Sequence, residues 1–100
     1  MGKPLDRLKK SLILNNLWLY VIKLISEKPM FSRELYEQIR SRYRINTRVI
    51  TVYSILYRLE REGYITRSGN YRKYYEVTNK GKEELRSGLK LLDDILGLLK

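Results

Sequence analysis

Apolar positions recur at helical spacing from about residue 5 to residue 26, with Leu14, Leu17, Trp18, Val21, Leu24 and Ile25 on one stripe. Leu5, Leu8 and Leu12 extend the stripe upstream, and Asn15-Asn16 mark a point of interruption. Pro29 closes the region, because proline has no N–H to continue the backbone ladder. Ser32 is placed to cap a second helix over about 33–42, with Leu35 and Ile39 facing inward. Asn46 and Thr47 are N-cap candidates for a third helix of about 48–62, whose narrow core stripe is Val52, Leu56 and Leu59, with Ile55 at its margin. Gly63 supplies the stop, since a left-handed C-terminal cap costs glycine no Cβ clash. Two short strands, 64–67 and 72–77, are rich in aromatic and β-branched residues, with Ser68-Gly69-Asn70 as the turn between them. Thr78 then caps a last helix running to about residue 99.

Three helices, a hairpin and a further helix predict a chain that is mainly α with a small β-hairpin (α+β). In fold terms this is a winged helix-turn-helix with an additional C-terminal dimerisation helix. One domain is expected over 1–100, with about 12–78 as its DNA-binding core and about 79–99 as its dimerisation helix. A 100-residue chain buries a modest share of its surface, so pairing with a second copy would help it.

Charge sharpens this picture. Twenty-one Lys+Arg stand against 11 Asp+Glu, a formal net charge of +10. A polyanion is the expected partner, and nucleic acid is the commonest one for a compact basic domain. The positive excess runs through the first three quarters of the chain and fades in the last helix. No apolar run approaches a membrane span, and the N-terminus lacks a signal peptide's apolar core, so no membrane is involved and a cytoplasmic location is expected.

With Val52, Leu56 and Leu59 buried, the helical period puts Thr47, Ile50, Ser54, Tyr57, Arg58 and Arg61 on the opposite side of the third helix, with Thr51 and Tyr53 on its flanks. The N-terminal part of such a helix meets base edges in double-stranded DNA. Arg48, Thr51 and Ser54 are therefore candidates for bases or nearby phosphates, and Tyr53, Tyr57 and Arg58 for the flanking backbone, with Thr47 also counted among the DNA-binding residues. An ordinary solvated helix face is the alternative, although an exposed Ile50 invites a partner. On the hairpin, Arg67, Asn70, Arg72 and Lys73 suit phosphate contact; cations there also serve simply to protect a strand edge. Tyr64, Tyr74 and Tyr75 read as sheet and core residues.

Leu85, Leu89, Leu92, Leu96 and Leu99 are spaced 4-3-4-3, a coiled-coil seam, and Leu91, Ile95 and Leu98 form an adjoining stripe. This helix, with Leu5, Leu8 and Leu12, is the expected homodimer interface. Completion of the monomer core is the competing explanation.

The run Thr51-Val52-Tyr53-Ser54-Ile55-Leu56-Tyr57-Arg58-Leu59-Glu60-Arg61-Glu62-Gly63-Tyr64-Ile65 resembles the signature of PadR-family transcriptional regulators. Arg72-Lys73-Tyr74-Tyr75-Glu76-Val77-Thr78-Asn79-Lys80-Gly81 is similar to that family's second wing strand and entry to the last helix, and Pro29-Met30-Phe31-Ser32-Arg33-Glu34-Leu35 to its second-helix start. The resemblance spans roughly 12–87. It implies a dimeric repressor whose third helix enters the major groove, whose wing touches the adjacent backbone, and whose first and last helices pair the protomers. Regulators of this kind often control detoxification, efflux or stress genes, some through a small-molecule inducer. The last helix here is short and lacks the tryptophan that some members use to stack planar drugs, which sets this chain apart on the inducer.

Catalysis finds little support. Histidine and cysteine are both absent, which removes the usual general base, the thiol nucleophile and the common metal ligands. Glu83-Glu84 and Asp93-Asp94 diverge by about 100° on a helix, and the glycines form no phosphate loop, so neither an enzyme nor a cofactor is expected. Two other readings stay open. One is a protein-interaction or architectural DNA-binding module without sequence specificity; the other is a sensor binding a planar ligand near Trp18, a residue otherwise read as core.

Overall fold

The structure, a computed structural model, describes residues 2–69 and 73–100. Its elements are α1 (Pro4–Leu12), a 3-10 turn (Leu14–Asn16), α2 (Leu17–Glu27), α3 (Ser32–Ser41), α4 (Val49–Arg61), β1 (Ile65–Ser68), β2 (Tyr74–Val77) and α5 (Asn79–Leu99). The interruption expected at Asn15-Asn16 is a true break. Asn16 turns its side chain on the backbone, donating to the Ser11 carbonyl at 2.5 Å and accepting from the Trp18 indole at 3.2 Å. Such local bonds compete with the helical ladder. Leu14 is consequently exposed on the turn and does not join the core stripe.

Leu17, Val21, Ile22, Leu24 and Ile25 of α2 pack with Leu35 and Ile39 of α3 and with Val52, Leu56 and Leu59 of α4 in one core. Met30, Ile45 and Ile65 complete it from the connecting segments and β1. Ser32 is not the cap of α3. It lies in the first turn and donates to the Tyr53 hydroxyl at 3.3 Å, while Glu34 reaches back to the Phe31 N–H at 3.3 Å. The turn into α4 is made at Arg44, whose φ of 55° is left-handed and uncommon for a non-glycine residue. That turn carries Ile45 into the core, where its N–H donates to the Ile39 carbonyl.

α4 ends in paired capping bonds, Tyr64 N–H to the Leu59 carbonyl at 2.9 Å and Gly63 N–H to the Glu60 carbonyl at 3.1 Å. Gly63 takes the left-handed conformation this cap requires, with φ 86°. The antiparallel hairpin pairs Ile65 with Val77 and Ser68 with Tyr74. Met30 adds an isolated antiparallel bridge to β2 by exchanging two hydrogen bonds with Tyr75, at 3.2 and 2.7 Å.

α5 is fixed at its start. Thr78 Oγ1 accepts from the Gly81 N–H at 3.1 Å, as expected of its cap, and donates to the Gly63 carbonyl at 2.7 Å. Lys80 Nζ donates to the Glu62 carbonyl and sits 4.5 Å from the Tyr64 ring centroid. Farther along, Gly88 lets α5 pass close to Trp18 and Leu19 of α2. No helix among the described residues is long and apolar enough to cross a membrane.

Candidate nucleic-acid interface

α4 begins with four β-branched or threonine residues, Val49 to Val52, and then alternates its faces at the helical period. Val52, Leu56 and Leu59 are buried, and the far side presents Ile50, Tyr53, Ser54, Tyr57, Arg58 and Arg61 to solvent. Thr51 is half-buried between the two faces. Arg48 is the exposed N-cap residue, and its carbonyl accepts from the N–H groups of Thr51 and Val52. Among the described residues, Arg48, Arg58 and Arg61 form no ion pair.

Thr47 requires a correction. It is only 9% exposed, packed at the base of the turn, so its side chain is not offered to a nucleic acid. The Arg40 guanidinium binds the surrounding loop, 3.5 Å from both Asn46 Oδ1 and the Thr47 carbonyl, and also meets the Tyr36 hydroxyl at 3.2 Å. Arg42 is likewise drawn inward, to Glu27 at 3.0 Å. Of the three arginines around this turn, Arg44 alone has no such partner among the described residues.

On the wing, Arg67 is exposed but already bonded, its Nε donating to the Glu60 carboxylate of α4 at 2.8 Å. That hydrogen bond and the Glu60 charge hold the guanidinium firmly protonated. Lys73 Nζ donates to the Gly69 carbonyl at 3.0 Å. Asn70 and Arg72, the other expected wing contacts, lie outside the described residues. Tyr75 is half-buried beneath the hairpin, and burial pushes its hydroxyl pKa up. Tyr74 is exposed, its ring 5.0 Å from that of Phe31.

Two clefts flank α4. The first, of about 640 Å³, brings Ser32 and Arg33 of α3 together with Tyr53, Arg67, Lys73 and Tyr75. Arg33 was not singled out from the sequence. Its proximity to the wing is tertiary, and only the basic residue at the start of α3 hints at it. The second, of about 490 Å³, lies between Trp18, Thr51, Ser54, Arg58, Tyr64 and Glu84. Trp18 is therefore half-buried, with one side on the core and one on a cleft.

Of the apolar residues expected to pair protomers, Leu5, Leu8, Leu12, Leu89, Leu96 and Leu99 are exposed. Leu85 packs against the protomer's own core, and Leu92 is half-buried. The adjoining Leu91, Ile95 and Leu98 are exposed as well, Leu98 at 85%.

Residues 21–87 match the transcriptional regulator PadR-like family. The chain belongs to that family. Known PadR-like structures share its architecture. A transcriptional regulator from Clostridium thermocellum superposes with a TM-score of 0.79 at 22% identity, covering 89% of this chain and 91% of that one. A PadR family regulator from Clostridium difficile gives 0.75 at 25% identity over 82% and 92% of the two chains. Bacillus subtilis PadR, solved in complex with operator DNA, gives 0.66 at 22% identity over 73% of this chain and 46% of that one. No curated protein sequence matches the chain. The winged helix is thus that of a PadR-like transcriptional regulator, in a family of regulators rather than of enzymes.

Proposed function

We propose that this PadR-like regulator binds an inverted repeat in double-stranded DNA as a homodimer and represses transcription in the cytosol. α4 enters the major groove and the wing lies along the neighbouring backbone. The observation that carries this reading is the outer face of α4. Its arginines at 48, 58 and 61 are exposed on one side of the helix and form no ion pair among the described residues. Unpaired cations on one exposed helix face are available to phosphates, whose neutralisation dominates affinity for DNA. A similar fold in Bacillus subtilis PadR has been seen on operator DNA.

Pairing rests on α5. Gly81, Leu85, Gly88 and Leu92 lie on the face that meets the protomer's own body, and that face continues through Ile95, Leu96 and Leu99 with nothing covering it. A second copy supplies the cover, with Leu5, Leu8 and Leu12 of α1 joining the same interface. Two α4 helices then stand about 34 Å apart, one turn of duplex. An inducer, if the regulator answers to one, fits the cleft beside Trp18, which shares Thr51, Ser54 and Arg58 with the DNA face. Quenching of Trp18 emission together with weakened DNA binding identifies such a ligand.

The test is selection from a randomised duplex pool. An inverted repeat bound about a thousandfold better than random duplex is the expected outcome. Diffuse, salt-sensitive binding without enrichment points instead to an architectural or protein-interaction role.

A further inference from the structure

Ile50 is 69% exposed, and outside the last turns of α5 no large apolar side chain among the described residues is more so. The fold gives no reason for it. A β-branched residue lowers helix propensity, and an exposed aliphatic chain leaves its surface in water. Ile50 sits in the first turn of α4, opposite Val52 and Leu56, in a shallow groove shared with Tyr53, Ser54, Tyr57, Arg58 and Arg61.

The stretch of α4 between Arg48 and Arg58 is unusual for a base-reading surface. Residues 49–57 contain no Arg, Lys, Asn, Gln, Asp or Glu. The bidentate pairs that identify guanine need Arg or Lys, and those that identify adenine need Asn or Gln. Hydroxyls of Thr51, Tyr53, Ser54 and Tyr57 remain, together with the bare alkyl surface of Ile50. The one apolar group on a major-groove edge is the C5-methyl of thymine. Arg48 and Arg58 bracket this surface about 15 Å apart along the helix axis. Cations at both ends hold phosphates while the middle faces the bases.

We infer that Ile50 is a specificity-determining residue that packs on a thymine methyl, so that each operator half-site carries a thymine opposite the first turn of α4. This rests on the reading of sequence-specific duplex binding and names the base feature it recognises.

Deoxyuridine in place of thymine removes the methyl and nothing else. Each thymine of a duplex enriched from the random pool is replaced in turn, and affinity is measured for the wild type and for Ile50→Ala. Position 50 is exposed and alanine favours helix, so the variant keeps its fold, as circular dichroism will show. At one or two positions per half-site, deoxyuridine costs the wild type about fourfold in affinity. Ile50→Ala binds the thymine duplex about as weakly and loses nothing more on deoxyuridine. The inference is overturned by deoxyuridine that costs nothing at any position, or that costs Ile50→Ala as much as wild type. A pool that yields no enriched duplex overturns sequence-specific binding itself, and this inference with it.

Discussion

The guanidinium of Arg67 on β1 hydrogen-bonds the carboxylate of Glu60 on α4 at 2.8 Å, so the wing and α4 share an ion pair. Read on its own, Arg67 is a cation on a projecting ribbon, available to phosphate. In the fold its charge is offset by an anion across the contact between hairpin and helix. Glu60→Gln frees that charge. Salt titration on a duplex is then expected to give a log–log slope steeper by about one unit, since one more phosphate is neutralised. Stability should change by less than about 1 kcal/mol, as for an exposed pair. An unchanged slope means that Arg67 stays away from the backbone even when released.

Three glycines on α5 separate backbone approach from simple flexibility. A Cβ at Gly81 would lie 2.1 Å from the Tyr64 carbonyl oxygen, which no rotamer change relieves. At Gly88 it would meet Leu19 Cδ2 at 3.0 Å, a side chain able to shift. At Gly97 nothing lies within 4 Å. Thermal denaturation should rank the alanine variants accordingly: Gly81→Ala loses about 3 kcal/mol or more, Gly88→Ala loses little, and Gly97→Ala gains about 0.5–1 kcal/mol.

Leu96 and Leu99 are exposed in the protomer, Leu99 at 81%. Replacing both with glutamate therefore leaves the winged helix intact while placing like charges in the proposed seam. Sedimentation should show a dimer for the wild type and a monomer for the double variant, each with the same far-ultraviolet dichroism. Leu56→Ala, at a fully buried position, instead costs about 2–5 kcal/mol of stability.

Acid should loosen the contact between α2 and the end of α3. The hydrogen bond from Arg42 holds the Glu27 carboxyl below the usual carboxylate range, with the Arg42 and Lys23 charges adding to it. A folded-state pKa that is depressed contributes stability above the unfolded value of about 4.3 and loses it as pH falls through the folded value. The midpoint of thermal unfolding should thus fall below about pH 4, and fall less in Glu27→Gln. Equal acid sensitivity in the two proteins assigns the loss to other carboxylates.

Features set by neighbours in sequence are legible in the sequence alone. Thr78 as a cap, Gly63 as a helix stop and the Val52–Leu56–Leu59 stripe follow from local geometry, and the structure has each of them. The break before Leu17 is signalled by two adjacent asparagines, of which Asn16 turns its amide on the Ser11 carbonyl. Features set by distant partners were not legible. Thr47 looked like a surface N-cap, but the left-handed turn at Arg44 swings the chain inward and buries it. Ser32 looked like a cap, yet its hydroxyl goes to Tyr53, 21 positions away. The convergence of Arg33 with the wing accompanies the bridge between Met30 and Tyr75, which no local pattern announces.

The most direct test of the account is charge reversal on the outer face of α4. Arg48→Glu and Arg58→Glu, with Lys90→Glu on the exposed side of α5 as control, are titrated on an enriched duplex and on a scrambled one over a range of salt. The account predicts that both α4 variants bind either duplex far more weakly and with a shallower salt dependence, while Lys90→Glu binds as the wild type does. Wild-type affinity and salt slope in Arg48→Glu and Arg58→Glu would contradict it, and would move recognition to another surface of the molecule.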